Sequence, residues 1–225
     1  MKNFPFKFVF LVSIVCIQFT YSQEKYNRFG IFGGGNYTFL TSNDFETSPG
    51  LGYELGINYQ LYFNNKSNLI SEFSYSENFF KIHVTGYDNN LTAQNFENDF
   101  NVENLFLGVY YNYYLFLDDD DNNLSVLGGV KVSVSSEWID ATNPYEYGNV
   151  TFGSQNMPVS SVDLLESIDL YGSIGISGGT DRFIGKLMYS HTLTDPMRNL
   201  TTENDDPMEA KTSFHMISLN ICYLL

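Results

Sequence analysis

The amino-acid sequence predicts an all-β fold, an eight-stranded antiparallel up-and-down β-barrel. Apolar and polar residues alternate with a period of two in segments along most of the chain, as in strands whose two faces meet different surroundings. The connections between these segments alternate strictly between long and short. The stretch 213–225 carries the alternation to Leu225, which predicts a final strand that closes a sheet.

Residues 1–22 have the organisation of a secretory signal peptide. Lys2 and Lys7 supply the positive start, residues 8–19 the apolar centre, and residues 20–22 a small-residue cleavage site. We therefore expect two parts, a signal peptide at 1–22 and one exported β-barrel domain at 23–225.

The net charge and the cysteine count of the mature chain exclude one class of partner and one kind of covalent link. Cleavage would remove two of the 11 basic residues and none of the 26 acidic ones, which leaves a net charge of −17. So negative a chain is not expected to bind nucleic acid. Cys222 would be the one remaining cysteine, so no intrachain disulfide is expected.

The first three predicted strands are 29–40, 51–63 and 69–84. The first is rich in glycine, and the second has the clearest alternation in the chain, because every odd position from Leu51 to Leu61 is apolar or aromatic. In the third strand the alternation loses its phase near Asn78, which predicts a β-bulge there.

The next two predicted strands are 102–117 and 124–138. Leucine, valine and tyrosine alternate along the first of them, which ends at the acidic run 118–123. Valines at even positions oppose serine, Lys131 and Glu137 along the second. These patterns indicate strands with one polar and one apolar face.

The last three predicted strands are 166–178, 182–192 and 211–225. Isoleucines oppose Asp169 and serines in the first, and a glycine-rich turn at 178–181 joins it to the second.

The connections fall into two groups. The long ones are 41–50, 85–101, 139–165 and 193–210, and the short ones are 64–68, 118–123 and 178–181. In an up-and-down barrel this order places all short turns at one end. All five prolines after residue 22 lie in the long connections, as unbroken hydrogen-bond ladders require.

No segment after residue 22 is apolar enough to cross a bilayer as a helix, but a closed barrel can cross it with strands. The polar faces would then line the lumen and the apolar faces would meet lipid, with aromatic residues at both interfaces. Aromatic residues at the short-turn ends are Phe29, Tyr59, Phe63, Tyr113, Tyr114, Phe183 and Tyr223. Those toward the long-connection ends are Tyr37, Phe39, Tyr53, Trp138 and Tyr189.

With this strand pattern and the C-terminal segment 213–225, the chain resembles the small eight-stranded outer-membrane β-barrel family, which includes the OmpA-like and OmpX-like transmembrane barrels, and more loosely the PorT-like barrel proteins. The resemblance implies location in the outer membrane of a Gram-negative-type bacterium. It also implies contact with outer-membrane lipid and recognition of the C-terminal strand by the barrel-assembly machinery. A peptidoglycan-binding domain is not expected.

The predicted inward faces carry a group of charged residues. Its members are Glu54, Glu72, Lys131, Asp169 and Lys186, together with Glu137 and Arg182. Because side chains fill the interior of an eight-stranded barrel, we expect these charges to pair across the lumen and to block it. We expect Lys131 to lie between Glu54 and Asp169, and Glu72 to share a level with Lys186.

The sequence favours a non-enzymatic outer-membrane protein whose acidic loops, especially 139–165, serve envelope structure or bind surface polymers or proteins. No catalytic residue, metal or cofactor is expected. One alternative is a narrow channel for ions or small solutes. Another is a secreted lipocalin-like barrel with its apolar face inside. The weakest alternative is an enzyme that uses His191 with Ser190 and Asp195.

Overall fold

The computed structural model describes residues 27–42, 46–87, 93–118, 122–140, 150–152, 155–157, 168–196 and 212–225. The predicted signal peptide lies outside these ranges. The strands are β1 (Arg28–Ser42), β2 (Thr47–Ser48), β3 (Gly50–Asn64), β4 (Ser67–Tyr87), β5 (Ala93–Leu117), β6 (Asn123–Asp140), β7 (Val150–Phe152), β8 (Gln155–Met157), β9 (Leu170–Gly179), β10 (Phe183–Thr192) and β11 (Thr212–Leu224).

The predicted eight-stranded antiparallel barrel is confirmed. The eight long strands pair in the circular order β1, β3, β4, β5, β6, β9, β10 and β11, and β11 returns to β1. The closing pair of β1 and β11 runs from Gly30 opposite Leu224 to Ser42 opposite Thr212. Closure leaves none of these eight strands at a sheet edge, so the ladders satisfy the backbone of the barrel wall.

The inner and outer faces follow the predicted alternation. On β3, Glu54 and Asn58 are buried while Leu51, Leu55 and Ile57 are exposed. The other barrel strands repeat this arrangement, so polar side chains line the lumen and large apolar side chains cover the outside.

The β-bulge predicted near Asn78 is absent from the β4–β5 ladder, which continues through the Asn78–Val102 pair without a register shift. On the other side of β4, the β3 ladder ends at the Gly52–Asn78 pair. Ser48 of β2 then pairs with Lys81, where an unshifted ladder would place Ile82, so an irregularity does lie next to Asn78 on that side. The alternation looked broken because Phe80, the next inward residue, is apolar. The register shifts of β3–β4 and β5–β6 lie elsewhere, between Tyr62 and Asn64 and at two points along β5.

The predicted long connections differ from the structure in one respect. Most of 85–101 is strand, because β4 continues to Tyr87 and β5 begins at Ala93, and the two pair throughout. Short strands also form within two other connections, where β2 and β7 each pair with β4, and β8 pairs with β7. Backbone pairing therefore extends the β4–β5 hairpin beyond the residues in which apolar and polar side chains alternate.

Aromatic side chains lie on the outer surface toward both strand ends. Phe29, Phe63 and Phe183 are exposed at the short-turn end, and Tyr37 and Tyr53 toward the other end. The position predicted for Tyr114 is wrong. Its side chain is buried in the lumen, because Tyr114 has the inward parity of β5. The side chain of Trp138 lies outside the described residues.

Candidate functional site

The structure places the five charged residues predicted for the lumen on the inner face. Glu54, Lys131, Asp169 and Lys186 are each no more than 5% exposed, and the side chain of Glu72 is 10% exposed. The other two residues that were predicted to face inward, Arg182 and Glu137, are not found in the lumen among the described side chains. Arg182 lies in the turn before β10 and is exposed, and the side chain of Glu137 lies outside the described residues.

Lys186 and Glu72 form an ion pair across the lumen. The Nζ atom of Lys186 on β10 contacts Oε1 of Glu72 on β4. These strands are four positions apart in either direction around the barrel, so the pair joins opposite walls. Lys186 Nζ also lies 4.2 Å from the ring centroid of Phe32 on β1. The cation therefore has a carboxylate and an aromatic ring as partners.

Glu54 is held by hydrogen bonds from two strands. Ser74 Oγ on β4 donates to its Oε1 at 2.7 Å, and Asn220 Nδ2 on β11 donates to its Oε2 at 3.3 Å. Both carboxylate oxygens thus have a donor. Hydrogen bonds to a charged acceptor are among the stronger ones in proteins, so they offset part of the cost of burying this carboxylate.

Lys131 has different neighbours from those predicted. Its Nζ atom lies 4.1 Å from the ring centroid of Phe106 and 5.5 Å from that of Tyr171. Glu54 and Glu72 attract Lys131 through longer-range electrostatics. Among the described residues, no carboxylate forms an ion pair with it.

Asp169 lies farther toward the long-connection end than the predicted grouping requires. It precedes β9, where its carbonyl oxygen accepts a hydrogen bond from Ser133 N at 2.8 Å, and its carboxylate accepts one from Thr194 Oγ1 at 3.0 Å. Among the described residues, no carboxylate lies within ion-pair distance of Lys131. The placement of Lys131 between Glu54 and Asp169 therefore stays a prediction.

Five aromatic side chains close the lumen beside Lys131, and we name them the aromatic cap. They are Phe80, Phe100, Phe106, Tyr171 and Phe214. Successive ring centroids lie 5.9 Å apart from Phe100 to Phe80, 5.8 Å to Phe214, 6.5 Å to Tyr171 and 5.3 Å to Phe106. Each ring is at most 2% exposed, so the cap fills the width of the lumen.

A hydrogen-bonded polar cluster also spans the lumen wall. Asn36 Nδ2 on β1 donates to Ser76 Oγ at 3.0 Å and to Asn78 Oδ1 at 3.2 Å, and both acceptors are on β4. Gly52 of the intervening strand β3 permits this approach. A Cβ atom there would lie 2.9 Å from the Asn78 Cα atom and 2.2 Å from the Glu77 carbonyl oxygen.

The short-turn end of the lumen contains a cavity of about 470 Å³. Tyr62 and Tyr114, whose rings are stacked 6.4 Å apart, form part of its wall. Arg28 and Asp181 form an ion pair in the same lining. Ile184 lines the cavity and also belongs to a buried apolar cluster. The other members of this cluster are Phe32, Cys222 and Leu224. This cluster separates the cavity from the ion pair of Lys186.

Sequence analysis missed the aromatic cap and the polar cluster. Both would follow from continuing the inward parity of β4 from Glu72 through Asn78 to Phe80. The apolar character of Phe80 hid this continuity, because inward positions were expected to be polar.

The histidines lie on the outer surface. His191 and His215 face outward from β10 and β11, whereas Ser190 faces the lumen and shares a hydrogen bond of 2.8 Å with Ser173. Neighbouring residues of a strand point to opposite faces. Ser190 and His191 therefore cannot act as nucleophile and base of one site. Within the described ranges, no group of three or more His, Cys, Asp or Glu residues is placed to hold a metal ion.

No family model matches the chain, and no curated protein matches it. Solved structures of three barrel proteins are similar in shape. Ail, the attachment invasion locus protein of Yersinia pestis, gives a TM-score of 0.45 at 12% identity, over 89% of this chain and 100% of Ail. Neisserial surface protein A gives 0.46 at 11%, over 88% and 99%. The translocator domain of the autotransporter NalP from Neisseria meningitidis gives 0.37 at 12%, over 88% and 87%.

These values describe a distant likeness in shape. The fold assignment comes from the strand pairing of this chain itself. Among the described residues, no helix is long and apolar enough to cross a bilayer.

Proposed function

We propose that this protein is an integral outer-membrane barrel, without enzymatic activity, that acts through the acidic surface at its long-connection end while its lumen stays closed. The observation that carries the proposal is the contrast between the two faces of the wall. The outside is apolar and exposed, whereas the inside is polar, charged and filled.

The outer face supports membrane insertion. Leu51, Ile174 and Leu219 are 72%, 65% and 62% exposed, and they lie on three different strands. Contiguous exposed apolar surface on this scale is rare on soluble monomers. A lipocalin-like barrel would need an apolar interior, but here Glu54 and Lys186 line the lumen. The soluble alternative therefore has little support.

The filled lumen supports a role other than transport. The ion pair of Lys186 and Glu72 crosses it, and the aromatic cap closes it beside Lys131. Side chains occupy the interior of an eight-stranded barrel in this way when no solute passes. The channel alternative would require these side chains to move apart.

The long connections supply the proposed binding surface. Over 41–50, 85–101, 139–165 and 193–210 the sequence has 13 acidic residues and a single basic residue, Arg198. A surface with so negative a field attracts cationic partners and raises their rate of association. Basic protein segments, or surface polymers bridged by divalent cations, have the matching chemistry.

Fractionation and conductance measurements test the proposal together. We expect the protein in the outer-membrane fraction, extractable only with detergent, and no steady single-channel current in planar bilayers. Recovery from the soluble periplasm without detergent would refute membrane insertion. A steady current that changes in Lys131→Ala would refute the closed lumen and support a channel.

A test of the surface uses charge neutralisation in the last long connection. We expect the variant E203Q/D205N/D206N/E209Q to bind a polylysine probe less well than the wild type in whole cells. The variant D118N/D119N/D120N/D121N in the short turn is the matched control and should bind as the wild type does. Equal loss in both variants would contradict the assignment of the binding end.

A further inference from the structure

His191 and His215 form a facing pair on the outer surface. They are direct partners in the antiparallel ladder of β10 and β11, so both side chains project to the same face. Their ring centroids are 4.6 Å apart with an angle of 34° between the ring planes. Both side chains are half-buried, so solvent reaches them in part.

Neutral groups surround His215. Tyr189 Oη lies 2.7 Å from its Nδ1, and Thr41 Oγ1 lies 3.1 Å from its Nε2. Phe39 stacks on the ring, with centroids 4.7 Å apart and planes 4° from parallel. Among the described residues, neither His191 nor His215 forms an ion pair with a charged side chain. The neighbours of His215 are uncharged, and metals bind the neutral form of imidazole.

His191 has ligand capacity that the protein does not use. Its Nδ1 is shielded from solvent and has no hydrogen-bond partner within the part of the chain that the structure describes. Leaving such a polar atom without a partner is unfavourable, because it has lost its hydrogen bonds to water. A group bound at this nitrogen would remove that cost.

We propose that His191 and His215 form a binding site for Cu(II). Copper(II) prefers a tetragonal set of nitrogen and oxygen ligands, and it binds such sites more tightly than the other divalent first-row metals. Two imidazole nitrogens would supply the protein ligands, and water would complete the set. The lack of a thiolate or a carboxylate in the pair argues against a dedicated zinc or calcium site.

Tyr189 orients one of the two ligands. In the tautomer where His215 donates its Nδ1 hydrogen to Tyr189 Oη, the Nε2 atom carries the lone pair. The Thr41 hydroxyl lies 3.1 Å from that Nε2 atom and donates its hydrogen to the Ser213 carbonyl oxygen at 3.3 Å, which leaves the Nε2 lone pair available to a metal. Hydrogen bonds of this kind fix the tautomer of metal-binding histidines. Tyr189 is therefore a positioning residue.

His83 provides the matched control. It also faces outward, from β4, but its Nε2 lies 2.8 Å from Ser48 Oγ, and it is no partner of the other two histidines in the strand pairing. The pair geometry, and not the mere presence of an outward histidine, defines the site.

Copper titration of the detergent-refolded chain without residues 1–22 tests the proposal. We expect one Cu(II) per chain, with electron paramagnetic resonance showing coupling to two imidazole nitrogens. His191→Ala and His215→Ala should each weaken binding roughly tenfold or more and lose one nitrogen coupling, whereas His83→Ala should match the wild type. Tyr189→Phe should weaken binding and keep both couplings. Heat-modifiable gel migration checks that each variant is folded.

Two results would overturn the proposal. One is equal copper affinity in the wild type and in the folded double variant H191A/H215A, which would place the ion elsewhere, for example at the chain's amino terminus. The other is a wild-type spectrum without two imidazole couplings. Neither result bears on the proposed membrane function, because fractionation and conductance do not depend on copper.

Discussion

Lys186 on β10 and Glu72 on β4 form an ion pair that joins opposite walls of the barrel. Their side chains are 5% and 10% exposed, so water screens the pair little. The pair thus links two strands that share no backbone hydrogen bonds.

We expect Lys186→Met to destabilise the barrel by about 3–5 kcal/mol, because it leaves Glu72 buried without its cation. Denaturant unfolding in detergent at neutral pH measures this change. Lys66→Met, in the exposed turn between β3 and β4, is the control and should shift the free energy of unfolding by less than about 1 kcal/mol. The double variant K186M/E72L should recover most of the loss, because an apolar pair replaces the ionic one. Equal midpoints for the two single variants would contradict a buried ion pair.

Lys131→Met should cost less than Lys186→Met, by about 1 kcal/mol or more. Lys131 has aromatic partners in place of a paired carboxylate, and methionine also packs favourably against Phe106 and Tyr171. Glu54 keeps both of its hydrogen bonds in this variant. The same unfolding experiment compares the two substitutions. A larger cost for Lys131→Met would show that its attraction to Glu54 and Glu72 outweighs the short-range contacts.

Phe80→Ala should destabilise the protein by about 3–5 kcal/mol, because it empties the centre of the aromatic cap. Its neighbour Phe79 is the matched control, since it has the same side chain but points outward and is 41% exposed. We expect Phe79→Ala to cost less than half as much in detergent. Similar costs at both positions would place Phe80 outside the packed lumen.

Cys222 should react with a maleimide only after unfolding. Its side chain is 1% exposed, inside the lumen, where Asn58 Nδ2 donates a hydrogen bond to its Sγ at 3.0 Å. The control is the variant C222S/K66C, which carries a cysteine in an exposed turn and should react at once. Mass spectrometry of the modified protein in detergent and in denaturant gives both rates. Rapid modification of native Cys222 would reverse the inward assignment of β11.

Much of the fold follows from the sequence, because parity fixes the face of each residue. The alternation on β3 and β11 identifies the strands, and Pro49 marks the interruption between β2 and β3. The same parity places the five charged residues in the lumen. Backbone geometry alone is sufficient for these predictions.

Pairing within the lumen could be predicted only in part. Glu72 and Lys186 were expected to share a level, and they form an ion pair. Barrel shear sets the relative levels of the strands and no single strand encodes it, so the aromatic neighbours of Lys131 were not predicted. The cap was missed for a second reason. Phe80 is apolar and still faces the lumen. The rings of Phe100 and Phe214 pack against it there and give it an apolar environment within a largely polar lumen.

The aromatic cap has a mechanical consequence. Backbone hydrogen bonds join each strand only to its two neighbours. A barrel held by these bonds alone can deform from a circular to an elliptical cross-section. Phe214 on β11 touches Phe80 on β4, three strands away, and Tyr171 on β9, two strands away. These contacts connect strands that are not neighbours in the sheet and so fix distances across the lumen. The barrel therefore keeps a circular cross-section under lateral pressure from the surrounding bilayer.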